Sequence, residues 1–480
     1  MRLGAILYTM GYGGLMLSGL MLVPWLVALF SIEEGQLGTF TIGLIFCSFI
    51  SGSLLLSGYT SRRHRARGIE LLLIMVLFWT FLPVLAAIPM LGASQVDSFL
   101  TAYFEAVSAL TTSGGSTLIV PEAESASLLL WRALLCWLGG LWTLVFAVAV
   151  LAPFGIGGIT LTGSPLLQHE ENATLSARLG RPLRFIAPLY GSLTLAGFLG
   201  LLVTGTPYFD AICLSLSGIS TGGMTARSGS VAAYLPYLSQ WVLVVICFVG
   251  AVSVPLLLVT TIGRNATGSF RDSELRVFTA LMVGYAAISL ISIPDLRLDH
   301  AVLQTVSMQT TAGFNFLPDG ALVKWPMVWV MVPVLIGGMS MSTAGGVKVM
   351  RAIILAKDIG SELGKLAYPS SVHPLALEGR RLEEGDFTAA WAFTAVFLLF
   401  VTSGVIVMGL LGLSLTDSWP IVLGALTNSL AIVNHLDMPL GFATMSGGLQ
   451  IGIALLMIAG RIELLILMVL FTSTFWRYMR

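Results

Sequence analysis

Three short runs in this chain join hydroxyl side chains to glycine in a way that suits coordination of a bare cation. They read Thr111-Thr112-Ser113-Gly114, Ser220-Thr221-Gly222 and Thr310-Thr311-Ala312-Gly313. A selectivity filter replaces an ion's hydration shell with backbone carbonyls aimed at a common axis. Turning successive carbonyls inward demands backbone angles that glycine reaches without a Cβ clash. The serine and threonine residues add hydroxyl oxygens and tolerate close approach. The glycines Gly114, Gly222 and Gly313 lie 108 and 91 residues apart, so a fourth copy is expected about a hundred residues further on. There the chain reads Thr427-Asn428-Ser429-Leu430, with leucine in the glycine's place.

Other chemistries are poorly served. Cys47, Cys136, Cys213 and Cys247 are isolated in apolar runs, which reads as small buried hydrophobes rather than a disulfide framework or a metal site. Five scattered histidines have no metal-ligand spacing. The glycine-rich stretch 337–346 lacks the Lys-Ser/Thr of a phosphate-binding loop. With no catalytic constellation, no cofactor motif and no nucleic-acid signature, the chain is expected not to be an enzyme.

The elements that must hold these runs follow from composition. Of 480 residues, 56% are hydrophobic and 10% charged, with a mean hydropathy of +0.92, too little charge to clothe a soluble surface. Apolar stretches long enough to cross a lipid bilayer fall near 3–30, 37–58, 70–93, 127–156, 184–204, 233–262, 275–294, 324–357, 387–413 and 444–476. The first is too long for a cleaved signal and is read as a retained helix. Four semi-apolar stretches between them, 98–113, 206–221, 299–312 and 415–430, are too short to cross and read as re-entrant pore helices. Each has an acidic residue, in Tyr103-Phe104-Glu105-Ala106, in the similar Tyr208-Phe209-Asp210-Ala211, at Asp299 and at Asp417. A short helix before each run aims its negative C-terminal end at the pore centre.

Charge sets the expected orientation. Nineteen of 24 Lys and Arg residues fall on one side: Arg2, Arg62, Arg63, Arg65, Arg67, Arg178, Arg181, Arg184, Arg264, Arg271, Arg276, Lys348, Arg351, Lys357, Lys365, Arg380, Arg381, Arg477 and Arg480. That side reads as cytoplasmic, with both termini inside. The other carries Glu33, Glu34, Asp97, Glu105, Glu122, Glu124, Asp210, Asp295, Asp299, Asp319, Asp417 and Asp437 against Arg132, Arg227, Arg297 and Lys324. Its formal charge of −8 would gather cations, or is simply what a positive-inside topology leaves outside.

Two intramembrane features call for a role. Gly337-Gly338-Met339-Ser340-Met341-Ser342-Thr343-Ala344-Gly345-Gly346 interrupts an apolar span and is followed by Lys348. Each glycine there weakens a helix by about 1 kcal/mol, so the run either unwinds in a protein-lined cavity or serves as a packing seam. Arg461 lies inside the last span, where a charge is costly and a function or an internal ion pair is the default. Glu463, two residues on, points to another helix face and is a poor direct partner.

At these residues the sequence resembles the Trk/Ktr/HKT superfamily of potassium transporters, Trk-type branch, over nearly its whole length. Trp131-Arg132-Ala133, Trp137-Leu138-Gly139-Gly140, the run 337–351, Gly460-Arg461-Ile462-Glu463, Leu470-Phe471-Thr472 and Phe475-Trp476-Arg477 carry the likeness beyond the filter runs. The resemblance implies an all-α membrane protein with four pseudo-symmetric helix–pore-loop–helix repeats around a central pore and two leading transmembrane helices, about ten crossings in all. The expected division is 1–60 for the leading helices and 61–157, 158–263, 264–366 and 367–480 for the repeats. It implies K⁺ as the ion held at the filter and carried passively across a bacterial inner membrane. The loop containing Gly337, Gly338, Ser342, Thr343, Gly345, Gly346 and Lys348 would gate from below, and Arg461 would face the ion path. A homodimer regulated by a cytoplasmic nucleotide-binding ring is implied as well. The basic polar segments 158–183 and 357–386 are where a partner would dock.

The fourth repeat departs from the pattern. Leu430 replaces the glycine, and Ala431-Ile432 stand where the family has Pro-Gly. A leucine held left-handed would be strained by about 1–2 kcal/mol. Three outcomes are open: coordination through Thr427, Asn428 or Asn434, selectivity relaxed toward Na⁺, or a shut pore in a non-conducting scaffold, sensor or regulator.

Overall fold

A lipid-facing segment must satisfy every backbone polar group internally, and uninterrupted apolar stretches do so as helices. In the computed structural model, residues 3–62, 68–151, 174–262, 272–367, 376–377, 380–382, 384–436 and 441–471 are described. Outside them lie Arg2, Arg63, Arg65, Arg67, Arg264, Arg271, Asp437, Thr472, Arg480 and the Phe475-Trp476-Arg477 motif, with parts of the two proposed docking segments. Seven helices among the described residues are long and apolar enough to cross: Leu3–Phe30, Gly35–Ser61, Gly68–Gly92, Ala126–Val150, Leu175–Val203, Ser273–Ser292 and Glu384–Leu410. The first two pack against each other along their length, and the first also meets the helices Gly68–Ala86 and Ala126–Phe146. An antiparallel pairing of Ala376–Leu377 with Arg380–Arg381 is the extended structure among the described residues.

The remaining expected spans, 233–262, 324–357 and 444–476, are each broken. Tyr237–Ala251 and Val254–Thr261 meet at 105°. Pro255 sits in the first turn of the second piece, where its missing N–H is no loss. Met327–Ile336 ends at Gly337 (φ 73°), and helix resumes at Val349–Ala367. Gly447–Ile462 ends at Glu463, a non-glycine residue at φ 67°, before Leu464–Phe471. The counterpart in the first repeat, Ala126–Phe146, passes into a π-helical turn, Ala147–Leu151.

The four short helices are Phe99–Leu110, Tyr208–Ile219, Leu298–Gln309 and Leu415–Leu426, each of 12 residues. Ser98 and Ser414 cap the first and fourth through side-chain bonds to Thr101 N–H and Asp417 N–H. Pro207 begins the second. Glycines seat the following helices on the pore-helix ends. A Cβ added to Gly139, Gly250 or Gly460 would lie 1.7, 2.3 and 2.3 Å from the carbonyl oxygens of Leu110, Ile219 and Leu426, the last residues of three pore helices. Only a bare backbone fits there, so the Trp137-Leu138-Gly139-Gly140 motif sets a packing distance.

Candidate functional site

All four pore helices end in the same way. Thr111, Ser220, Thr310 and Thr427 turn their hydroxyls back to the carbonyls of Val107, Leu216, Val306 and Leu423 at 2.7–2.9 Å. The next residue is left-handed in every case: Thr112 (φ 54°), Thr221 (53°), Thr311 (57°) and Asn428 (51°). The N–H one step later then reaches back to Ser108, Ser217, Ser307 or Gly424 at 2.7–3.1 Å. This is a Schellman end with threonine or asparagine where glycine is usual. A β-branched residue there is strained, by on the order of 1–3 kcal/mol. Three threonines under this strain, with asparagine, which tolerates the left-handed region, at the fourth position, mark a built site.

Beyond that residue, Gly114 (φ 73°), Gly223 (66°) and Gly313 (75°) take left-handed angles two positions later. The second run is therefore shifted by one residue from the sequence expectation: Gly223, not Gly222, matches Gly114 and Gly313. Gly222 matches Ser113, Ala312 and Ser429. A second register also changes. The Tyr-Phe-acid-Ala similarity places Tyr103 against Tyr208, whereas the helix ends place Tyr208 against Phe99, one turn earlier. Asp210 thus corresponds to Asp417, and Glu105 is a mid-helix residue with its own task. It is buried against Arg132 (3.1 Å) and accepts from Ser116, Thr117 Oγ1 and Thr117 N–H.

The fourth quadrant breaks the pattern after Ser429. Leu430 avoids the left-handed region altogether, and the chain enters a helical turn, Leu430–Val433. The strain expected at Leu430 is therefore absent, and its buried side chain packs beside Gly115 and Gly424, whose added Cβ atoms would lie 3.0–3.2 Å from leucine atoms. In the first and third repeats Ser108 and Ser307 occupy the Gly424 position and hold the carbonyls of Gly115 and Phe314 at 2.6 and 2.7 Å. The turn puts Ala431 against the three left-handed glycines: Cβ atoms built on Gly114, Gly223 and Gly313 would lie 2.6, 2.4 and 2.6 Å from the Ala431 methyl. Ala431 N–H donates to the Ser113 carbonyl (2.9 Å), and the Asn434 amide to the Gly114 carbonyl (2.9 Å). Of the polar side chains expected to coordinate, Thr427 bonds its own helix and Asn428 donates to Ser113 Oγ (3.0 Å) and Met457 O (2.9 Å).

The underside of the ring meets the broken helix and the last span. Gly345 N–H donates to Thr311 Oγ1 (2.7 Å), Thr343 lies 3.4 Å from Thr221 Oγ1, and Arg461 Nη2 donates to Thr112 Oγ1 (2.8 Å). Thr343 also donates to the carbonyls of Gly250 (2.8 Å) and Ile219 (3.2 Å). Gly337 accepts from Gln309 (2.8 Å), Ser342 donates to the Met339 carbonyl (2.6 Å), Lys348 Nζ donates to the Ala344 carbonyl, and Gly338 and Gly346 lie within the same loop. Sequence reasoning missed the anchor of this loop: buried Glu274 accepts from Ser340 N–H (2.7 Å) and Met350 N–H (3.1 Å). Glu463 pairs with Arg351 (2.7 Å), leaving Arg461 to Thr112. A cavity of about 50 Å³ below the ring is lined by Asn428, Gly345, Gly346, Lys348, Arg461 and Glu463.

Above the ring lies a cavity of about 280 Å³. Its lining among the described residues includes Arg132, Arg227 and His435 and no carboxylate, while Asp437 of the acidic set lies outside the described residues. Three of the outer acids bond to residues in or beside this lining: Asp210 pairs with Arg227 (2.7 Å), Asp319 accepts from Ser230 N–H (2.8 Å), and Glu122 takes Ser228 Oγ (2.6 Å) and N–H (2.9 Å). Burial pushes the Glu122 carboxyl up, but the Ser228 bonds and nearby Arg227 outweigh it and hold the group below its usual range.

Comparison with known proteins bears on the whole chain. The family model for TrkH, described as a cation transport protein, matches residues 37–478. A Trk system potassium uptake protein TrkH from Salmonella typhimurium is 30% identical, covering 99% of this chain and 100% of the relative. An uncharacterized cation transporter from Methanocaldococcus jannaschii is 27% identical, covering 96% and 93%. The crystal structure of the potassium transporter TrkH from Vibrio parahaemolyticus superposes with a TM-score of 0.88 at 27% identity, covering 99% of this chain and all of that one.

Proposed function

The chain belongs to the TrkH family of cation transport proteins, and on that premise we propose that it takes up potassium ions through the filter at the ends of its four pore helices. The observation that carries this reading is the meeting of three Thr-x-Gly turns, each left-handed at both outer positions, around one axis. Such turns present backbone carbonyls to an unhydrated ion. Full-length likeness to proteins named for potassium uptake favours transport over the scaffold reading. Within the proposal, Thr112, Thr221, Thr311 and Asn428 mark the inner ring and Gly114, Gly223 and Gly313 the outer one. The loop 337–348 is the inner gate, and Arg461 discourages free flow by its charge. The division into two leading helices (1–60) and four repeats (61–157, 158–263, 264–366, 367–480) belongs to the same reading. So do passive flow across an inner membrane with cytoplasmic termini, a homodimer, a cytoplasmic nucleotide-binding ring and the absence of enzymatic activity.

The test is ⁸⁶Rb⁺ and ²²Na⁺ uptake by proteoliposomes containing the purified chain and its Leu430→Gly variant. Saturable Rb⁺ uptake exceeding Na⁺ uptake by the wild type is the expected result. Equal uptake of both ions would replace potassium selectivity with a relaxed filter. Uptake gained only in Leu430→Gly would return the chain to a non-conducting role.

A further inference from the structure

The inner closure of the filter, by a glycine-rich loop and Arg461, was legible from the sequence; the outer one was not. The glycines Gly114, Gly223 and Gly313 come from three different repeats, yet the atom nearest to all three added Cβ positions, or second nearest, is the same one, the Ala431 methyl. A carbon in contact with three sides of a ring stands in its middle. Ala431 is buried, and its N–H and the Asn434 amide occupy the carbonyls of Ser113 and Gly114. Those are oxygens that a filter offers to an ion. On the opposite side, the Gly313 position faces Ile432 N at 2.8 Å and Ala431 C at 3.1 Å.

We infer that the turn Leu430–Val433 is an outer plug of the filter, with the Ala431 methyl in the outermost ion position and the Asn434 amide as its latch, and that a potassium ion arriving from outside displaces it. The inference rests on the transport reading above. Plug and ion compete for the same carbonyls, so ion binding and release of the turn are linked: a ligand that takes only the released state raises its population. Leucine at 430 is what makes the device possible. Glycine there would let the chain follow the other three turns, whereas leucine starts a helix that brings residue 431 over the axis. Two hydrogen bonds and the methyl contact hold the turn to the filter, the buried side chains of Leu430, Ile432 and Val433 hold it to the surrounding core, and Leu430, resting in the space left by Gly115 and Gly424, serves as its pivot.

The experiment places a thiol on the plug. Ala431→Cys, purified into lipid nanodiscs, is exposed to a charged methanethiosulfonate in choline and then in rising K⁺. The native cysteines are buried, and the wild type measured alongside sets the background. The expected result is a labelling rate that rises about fivefold or more with K⁺, tracking the concentration that half-saturates Rb⁺ uptake. Asn434→Ala, which keeps residue 431 and removes only the latch, is expected to raise wild-type Rb⁺ uptake about threefold or more, and it carries the test if the cysteine variant does not fold. Labelling indifferent to K⁺, or no gain in Asn434→Ala, beside saturable wild-type uptake would overturn the plug and leave transport standing. Absence of uptake from both proteins would overturn the transport reading, and K⁺-accelerated labelling would then still establish displacement of the turn by a bound ion.

Discussion

The first three quadrants of the filter and the fourth share one helix end and then part. Up to Ser113, Gly222, Ala312 and Ser429 the backbone is the same: a hydroxyl cap, a left-handed Thr or Asn, and an N–H returned to the pore helix. One residue later three chains continue left-handed as glycine and one coils into helix as leucine. The difference teaches that the Schellman end does not need the filter glycine. The glycine decides only where the chain goes afterwards, out along the wall or across the axis.

The largest effect is expected where the comparison fixes the second register. Gly223→Ala places a Cβ 2.0 Å from the Ala312 carbonyl in a left-handed residue and should reduce Rb⁺ uptake on the order of 100-fold or more. Gly222→Ala meets only Cys136 and Ser220 side-chain atoms at 3.0–3.3 Å and should keep uptake within about threefold of wild type. If the two variants exchanged effects, Gly222 would be the filter glycine after all.

Next comes the buried support that the first repeat has. Arg132→Met leaves the Glu105 carboxylate without its arginine beneath the outer wall, and should lower stability by about 3–5 kcal/mol. Thermal unfolding in detergent reads this, and a variant as stable as wild type would assign the Glu105 contacts to Ser116 and Thr117 alone.

A smaller change is expected at the inner contact. Arg461→Gln keeps a donor for Thr112 but removes the charge, and Rb⁺ uptake should rise about fivefold, as loss of roughly 1 kcal/mol of repulsion implies. Unchanged uptake would make Arg461 a structural strut.

The smallest is a pH effect at the plug. Burial pushes the His435 ring down to about 4, against the opposing pull of Asp319. The packed turn therefore holds a neutral ring, while the released turn titrates near the ordinary value. Its hold is complete above about 6.5 and weakens as pH falls toward 4, so lowering the outer pH from 7.5 to 6 should raise labelling of Ala431→Cys about threefold relative to a free thiol labelled at the same pH, a ratio that cancels the loss of thiolate. His435→Gln should flatten that dependence, and a slope surviving the substitution would assign it to another group.

Much of this was legible because the signals are local. The hydroxyl-rich ends of the pore helices, the glycine-rich break at 337–346 and the intramembrane Arg461 each rest on residue types within a few positions, and the structure brings them into contact. The registers were less legible. Gly222-Gly223 offers two candidate glycines, and only the hydrogen bond from Gly222 to Ser217 chooses between them. Tyr103-Phe104-Glu105-Ala106 resembles Tyr208-Phe209-Asp210-Ala211 in letters but sits one turn later in its helix, a distinction that counting back from the Thr-rich ends would have revealed. Glu274 gave no signal, since its partners are backbone N–H groups more than sixty residues away.

By itself the sequence determined a bilayer protein with four short re-entrant helices, hydroxyl- and glycine-rich runs at their ends, and a fourth copy that could not follow the others, because hydropathy, helix breaking and left-handed backbone are properties of short segments. Tertiary structure decided what replaces the missing glycine. Whether Ala431 points into lipid, protein or the ion path depends on where three distant turns bring Gly114, Gly223 and Gly313, and on the room that Gly115 and Gly424 leave for Leu430. Those are distances between segments far apart in the chain, set by how the four pore helices pack around one axis.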